Sequence, residues 1–541
     1  MKYTSQLQDL NEAKSMNFRD EAYEECRVFS LERSFEFVKN YPKFSAYKDI
    51  FAKILFINSI SSFLQNKLNE INSLPNAPQK TQGLISHNLL VTGRFISNLF
   101  KLIKLVAFLK LPNVKEPRIG IELSEGLRSP VQRSDINFNI AQFGFQNIVL
   151  FDFQNVVSGY NPEELANLRE CLDNGTLLIT GSNSIKHSNA FKVQTPVIKK
   201  FIFTRKKPDS NSTIFFEYLP FIQLSAIFWK YLFKKLAIKG WLHTVEIHLE
   251  NLLQVKILKE LGAVSFSRQR SEMGSVKGLF YQPADVLFNW SHLTNDHFQK
   301  LNFYEVIKPI GHYYLNINKI NAYQSFSKEM RKNFPDGTFI ISLFDNIVCE
   351  IAELSAENFK LLIRHLLDLL KATENIVLSF KLKKKKLISQ YPFRDEIEDQ
   401  IKKNRIILYD GYLLPLALGM ESDLSIGVGA SSPIWEINIA QKRGIYFWPG
   451  VGENHPLSNK ELENLLCRSI EEVKKKIHEA ILNPDSKIGL ITKQQLTLFD
   501  EFHDFKAPER VAFCFKKLLE TNVTRDDFLK WIRDVDLREI N

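Results

Sequence analysis

Apolar residues recur at three- and four-residue spacing through the N-terminal part of the chain, in YKDIFAKILFINSISSFLQNKLNEI and again in LLVTGRFISNLFKLIKLVAFLKL. That spacing lines one face of a helix, and the break between the two runs, Pro75 to Pro78, is a helix stop. The pattern predicts a helical N-terminal region over residues 1–112. From Arg118 the rhythm changes to short apolar runs separated by helical stretches, as expected of βα units around a largely parallel sheet. Strands are predicted at Ile119 to Leu123, Asn147 to Phe151, Thr176 to Thr180 and Lys200 to Phe203, and a further strand from Ala284 ends in Asn289-Trp290-Ser291-His292. The segment LPFIQLSAIFWKYLFKKLAIKGWL reads as one aromatic, basic helix, either buried or facing a membrane. Its uncharged part, Tyr218 to Trp229, is too short to span a bilayer.

A polar stretch from Asn316 to Phe334 precedes a second βα series, and the domain boundary is placed there. Residues 113–325 then form a first α/β domain, 326–500 a second, and 501–541 a set of closing helices that would pass back to the first. Within the second domain the pattern predicts strands at Thr338 to Phe344, Asn375 to Phe380, Ile406 to Tyr409, Leu424 to Val428 and Gly444 to Trp448. Helices are expected at Glu357 to Leu370, Leu413 to Met420 and Pro433 to Gln441. No fixed-period repeat is visible, and the one low-complexity patch, KLKKKK at Lys381 to Lys386, follows a predicted strand. It reads either as a solvated charge run or as an anion-steering edge.

A length of 541 residues, with 44% hydrophobic and 24% charged positions, excludes a single small module and a disordered chain. Lys and Arg number 71 against 61 acidic residues, and the net charge of +10 points to an anionic partner: nucleic acid, a phosphorylated substrate or an acidic leaflet. Arg94, Lys101, Lys104 and Lys110 surround Phe95, Leu99, Phe100, Leu102, Ile103, Val106 and Leu109 in a helix that could lie on an anionic bilayer. A core helix with snorkelling lysines reads from the same residues. Cys26, Cys171, Cys349, Cys467 and Cys514 are scattered without a CxxC, which fits a reducing cytoplasm and neither a zinc module nor a disulfide scaffold. The polar N-terminus has no apolar signal core, and no run reaches the ~20 apolar residues of a spanning helix. GxxxxGK[ST], GxGxxG after the first strand, a DxD at a strand end, HExxH and GxSxG are all missing. Their absence disfavours a P-loop NTPase, a nicotinamide enzyme and a zinc hydrolase, and no metal and no separate cofactor are expected.

The most informative stretch is Asp410-Gly411-Tyr412-Leu413-Leu414-Pro415, then Glu421-Ser422-Asp423-Leu424-Ser425-Ile426-Gly427-Val428-Gly429-Ala430-Ser431-Ser432-Pro433-Ile434-Trp435-Glu436. A buried strand ends in a small-residue turn, and Pro433 is pre-set for a first helical position with Ser432 as its cap. An open helix N-terminus at the carboxyl edge of a parallel sheet is where phosphate binds. Gly427, Gly429 and Ala430 would leave room for a ligand, and Glu436, in the first helical turn, could accept hydrogen bonds from a ribose. The same residues also describe a capped helix packed tightly on its strand.

This half of the chain, over roughly residues 300–500, resembles the C-terminal domain of GT-B glycosyltransferase-like proteins. It is similar to bacterial CDP-glycerol glycerophosphotransferases, surface-polysaccharide glycosyltransferases and, more distantly, UDP-N-acetylglucosamine 2-epimerases. The resemblance implies that Ser431 and Ser432 bind the donor diphosphate, Glu436 the ribose, and that Asp410, Gly411 and Tyr412 lie beside the base. Gly450, Val451, Gly452, Glu453 and His455 follow the next strand and could form another ligand loop, with His455 also readable as an exposed loop residue. Arg443, just before that strand, reads as structural.

The first domain is expected to supply the acceptor side and the base. Glu122 and Glu125 follow the first strand and Asp135 comes shortly after, so carboxylates cluster at one strand end, where an acceptor hydroxyl would lose its proton. Surface salt bridging accounts for any one of them equally. Arg268, Arg270, His292, Gly311 and His312 stand where strands of such a domain finish at the interdomain cleft; each histidine reads as a catalyst or as a hydrogen-bonded wall residue.

The expectation is an α/β, GT-B-like protein: two Rossmann-like domains facing a cleft, with an additional helical N-terminal region. It would transfer a sugar, or a glycerol phosphate, from a nucleotide-activated donor to a glycan or lipid-linked acceptor in surface-polysaccharide synthesis. Its place would be the cytoplasm, with peripheral contact to the anionic inner face of the membrane and no nucleic-acid partner. The alternatives are a nucleotide-sugar epimerase or hydrolase on the same fold, and a catalytically silent scaffold.

Overall fold

The computed structural model describes residues 25–26, 30, 32–33, 39, 111–112, 114–123, 144–152, 162–180, 185–192, 211–243, 249–269, 284–295, 304–312, 315, 317–345, 356–381, 391–409, 415–429, 431–450 and 456–540. The predicted helical N-terminal region lies almost wholly outside the described residues, as does the strand predicted at Lys200 to Phe203.

Eight strands form the first sheet: β1 (Arg118–Glu122), β2 (Ile148–Asp152), β3 (Leu177–Thr180), β4 (Ala190–Lys192), β5 (Ile238–Leu242), β6 (Val264–Arg268), β7 (Ala284–Asn289) and β8 (Tyr304–Pro309). Every pairing is parallel, in the order β4-β3-β2-β1-β5-β6-β7-β8. The second sheet holds β9 (Phe339–Phe344), β10 (Ile376–Lys381), β11 (Ile406–Tyr409), β12 (Leu424–Val428), β13 (Gly444–Phe447) and β14 (Leu466–Cys467). It too is parallel throughout, in the order β11-β10-β9-β12-β13-β14. Counted from its own first strand, that is the 3-2-1-4-5-6 order of a Rossmann sheet. In both sheets the strand order reverses beside the first strand, between β1 and β5 and between β9 and β12. Strands such as β10 (IVLSFK) and β12 (LSIGV) are buried at every position, and the polar or small residues among their apolar ones are buried as well.

Two predicted elements change. The aromatic stretch is a helix only from Asn211 to Lys235; Ala237 takes a positive φ of 50°, and the residues after it are the fully paired strand β5. The helix is buried on one face. Trp229 and Phe233 lie 5.7 and 5.1 Å from the ring of Trp241 on β5, and Trp241 meets Phe151 of β2 edge-on at 4.6 Å. Buried aromatic rings of this kind dominate core energetics. The polar stretch after residue 316 is the helix Ile317–Arg331, packed on the helix Pro415–Glu421. It escapes the hydrophobic pattern because few of its positions are buried, Ile320, Tyr323 and Ser327 among them. Arg331 closes it by donating to Oδ2 of Asp423 at 2.9 Å and to the carbonyls of Glu421 and Thr338, and Asp423 also accepts from the N–H of Ile340 at 2.7 Å. Asp423 therefore ties this helix to the start of β9.

The closing helices, Ala507–Leu519 and Arg525–Asp534, lie against the first sheet. Arg525 pairs with Asp285 of β7 and Glu305 of β8, and Lys308 reaches the carbonyl of Val535. Arg510, fully buried, donates to the carbonyls of Ile310 and Leu537 and to Asp504, with the ring of Phe502 3.5 Å beneath its guanidinium. Among the described residues, no helix is long and apolar enough to cross a membrane.

Candidate functional site

At the point where the strand order of the second sheet reverses, β12 is followed by Gly429, which holds φ at +62° and donates its N–H to the carbonyl of Phe447 at 2.9 Å. Two residues on, Ser431 has the extended backbone of a helix cap (φ −110°, ψ 98°), and the helix runs Ser432–Ile439. The cap is therefore Ser431, one residue before the predicted Ser432, which is itself the first helical residue. Ser431 makes no side-chain capping bond, while its carbonyl accepts from the N–H of Ile434 at 2.9 Å. Pro433 has no N–H to offer. The donors at this helix end are thus the N–H groups and hydroxyls of Ser431 and Ser432, set on the positive end of the helix dipole.

Gly427 does a different job from the one its sequence position suggests. A Cβ there would lie 2.6 Å from Cβ of Ser431 and would collide with Ile434, so its missing side chain lets the helix start sit on the strand and does not make room for a ligand. Glu436 is buried and falls after the first helical turn, which contains no acidic residue. Asp410, Gly411, Tyr412, Ala430, Val451, Gly452, Glu453 and His455 lie outside the described residues. Beside the turn, β9 leads into Asp345, whose Oδ2 accepts from the phenol of Tyr391 at 2.9 Å. Burial, and then the charge of Asp345, push the Tyr391 phenol well above its usual range. Lys381, the first residue of the basic run, ends β10 and is 9% exposed, so it is a buried edge residue and no part of a solvated patch. Arg443 donates to the carbonyls of Pro484 and Ser486, a structural role as expected.

The carboxyl edge of the first sheet carries a layer of buried polar groups: Glu122, Asp152, Thr180, His243, Arg268, Gln269 and Asn289. Of these, the sequence pattern singles out only Glu122 and Arg268. Ile121 pairs with Leu242, so Glu122 and His243 are next in register on adjacent strands, across the point where the strand order reverses. His243 is 2% exposed. The indole N–H of Trp241 donates to its Nδ1 at 3.1 Å, and Nε2 has no hydrogen-bond partner among the described residues. Burial lowers its pKa to about 3, so the ring is neutral at pH 7. The signal was present, a His closing a short apolar run, but reading that run as the tail of a helix hid it.

The other predicted groups do not converge on Glu122. His292 and His312 follow β7 and β8, three and four strands away from β1, or roughly 14 and 19 Å at about 4.8 Å per strand. The His292 side chain is 63% exposed; Nδ1 takes a bond from Asn295 at 2.8 Å and Nε2 faces Glu501 at 3.2 Å. His312 is buried, its ring 4.4 Å from that of Trp290, and it follows Gly311 at φ +89°. Asp500 clasps this turn, accepting from the backbone N–H groups of His312, Phe502 and His503. Glu125, Asp135 and Arg270 lie outside the described residues.

Trp290 joins the two halves. Its ring lies 5.5 Å from that of Trp435 in the helix that starts at Ser432, and Trp435 in turn packs 4.3 Å from Phe499 and donates its indole N–H to the Phe499 carbonyl at 3.1 Å. The serine turn of the second sheet is thereby seated against the β7 and β8 ends of the first.

Two parallel Rossmann-like sheets in succession, each with its own switch point, and closing helices that return to the first sheet define a two-domain GT-B-like fold. No protein-family model matches the sequence, and no curated protein matches it. Among solved structures, the chain is similar to HepE of Anabaena in complex with UDP-glucose, at 10% identity and a TM-score of 0.43, over 74% of this chain and 99% of that one. UDP-GlcNAc 2-epimerase of Neisseria meningitidis bound to UDP-GlcNAc is 9% identical with a TM-score of 0.44, over 74% of this chain and 100% of that one. The wall teichoic acid polymerase TagF is 13% identical with a TM-score of 0.41, over 81% of this chain and 99% of that one.

Proposed function

We propose that the protein transfers a sugar, or a glycerol phosphate, from a nucleotide-linked donor to a hydroxyl of a surface-polysaccharide acceptor. The observation that carries this reading is the turn at the second sheet's switch point, where Ser431 caps a helix without spending its side chain on the cap. A donor diphosphate there would be held by the N–H groups and hydroxyls of Ser431 and Ser432, and the helix end would stabilise the charge that develops as the diphosphate leaves. Glu122, at the first sheet's switch point, would take the acceptor proton as the new bond to oxygen forms. The donor is the only nucleotide the reading requires, and no separate cofactor enters it. A glycan or lipid-linked acceptor at the inner face of the membrane fits the same chemistry.

The test is thermal denaturation and calorimetry of the whole chain with UDP, CDP, GDP and CMP. A ligand at 100 times its dissociation constant stabilises the native state by about 2.7 kcal/mol, a clear rise in Tm. One nucleotide is expected to raise Tm, and the rise should shrink in a Ser431→Ala, Ser432→Ala double variant. If none of the four moves Tm, the reading fails and the silent scaffold takes its place.

A further inference from the structure

Polar groups inside proteins are rarely left unpaired, because each costs as much as the hydrogen bond it forgoes. Nε2 of His243 is such a group: buried, at the carboxyl edge of β5, with no partner among the described residues. Its chemistry is fixed by its neighbour two residues earlier. An indole nitrogen can only donate, so the bond from Trp241 Nε1 leaves Nδ1 of His243 without a proton and puts the ring proton on Nε2. The low pKa caused by burial keeps the ring in that neutral form. His243 is thus set up as a hydrogen-bond donor and not as a base.

Its neighbour across the switch point follows from the register. Trp241, two residues earlier on β5, occupies Nδ1 and leaves Nε2 as the ring's remaining polar atom, and the position next in register to His243 across the switch point is Glu122, on the same face of the parallel pair. A donor N–H beside a carboxyl group matches a hydroxyl, whose oxygen accepts from the imidazole and whose proton goes to the carboxylate. A phosphate would meet the carboxylate's charge unfavourably.

We propose that His243 Nε2–H and Glu122 together bind a polyol hydroxyl at the first sheet's switch point, with Trp241 as the positioning residue that fixes the His243 tautomer. This deepens the transferase reading by naming where its acceptor sits, and it rests on that reading only for the identity of the acceptor.

The test is two-bond 1H–15N spectroscopy of histidine-labelled full-length protein. The His243 signal is assigned by its loss in His243→Gln and, independently, by its displacement in Trp241→Phe. The expected result is an Nε2–H tautomer at pH 7 that shifts on titration with glycerol or glucose up to molar concentration. Trp241→Phe should release the tautomer and weaken the response by about two- to tenfold, the worth of one neutral hydrogen bond. An Nδ1–H tautomer, no response to either polyol, or a response to inorganic phosphate alone would each overturn the proposal. None of these readouts needs a nucleotide, so they stand apart from the failure of the donor site, which the nucleotide titration detects separately.

Discussion

The indole rings of Trp290 and Trp435 lie 5.5 Å apart, one at the end of β7 in the first sheet and the other in the helix that follows β12 in the second. Through this pair the two sheets share one hydrophobic core, which runs from Ile119 and Phe266 in the first to Ile434 and Tyr446 in the second. The serine turn is therefore held by the first sheet as well as by its own strand.

Trp435→Ala should uncouple the halves. The truncation removes a fully buried ring and the bond to the Phe499 carbonyl, at a cost of about 3–5 kcal/mol. Calorimetry is expected to resolve two unfolding transitions in the variant against one in the parent, both scans being part of the test. A single transition merely lowered in temperature would mean that other contacts across the junction carry the coupling.

Gly427→Ala tests the seat of the serine turn. The added methyl would meet Ser431 Cβ at 2.6 Å and collide with Ile434, so the helix start must move. Overpacking of this kind costs about 1–3 kcal/mol, and the displacement of Ser431 should lower nucleotide affinity beyond what the loss of stability explains. Urea denaturation and nucleotide titration of the same variant separate the two effects.

Much of this arrangement was readable from the chain, for identifiable reasons. β11 and β12 were predicted to the residue: IILY of β11 is a short run of bulky apolar residues, and LSIGV of β12 is a run of large apolar and small residues bounded by Asp423 and Gly429. β5 was hidden because Ile238–Leu242 (IKGWL) continues directly from an aromatic, basic helix of the same composition, and periodicity cannot separate the two. With β5 went His243, and with it the other side of the first switch point. The helix Ile317–Arg331 was missed for the opposite reason, too few apolar positions to show a period. The serine turn was found from its small residues, but Gly427 was assigned to the ligand because sequence cannot show that Ile434 fills the space. The contact of Trp290 with Trp435 leaves no local trace at all.

Glu122→Gln addresses the proton transfer. Glu122 is 8% exposed at the end of β1, and an amide of the same shape preserves packing while removing the ability to take a proton. Loss of a general base lowers turnover by about 10²- to 10⁴-fold. With the donor nucleotide identified by titration, kcat should fall by that amount while Tm and donor affinity stay near those of the parent. Unchanged turnover would place the base elsewhere.

Glu421 gives a prediction in pH. It ends the helix Pro415–Glu421, is 5% exposed, and neither carboxylate oxygen accepts a hydrogen bond among the described residues. Burial raises its pKa from 4.5 to about 7, with Arg331 pulling it down and Asp423 pushing it up. A folded-state pKa above the unfolded value means that the native protein holds the proton more tightly. The contribution to stability is therefore complete below pH 4.5 and is lost as pH rises through 7. At about 1.4 kcal/mol per pKa unit, the loss is on the order of 3 kcal/mol. Glutamine mimics the protonated acid and does not titrate, so Glu421→Gln should match the parent at pH 4.5 and exceed it at pH 8. Urea denaturation of both proteins at the two pH values measures the difference directly, free of every group that titrates alike in both. A difference that does not change with pH would show that Glu421 is solvated in the folded protein.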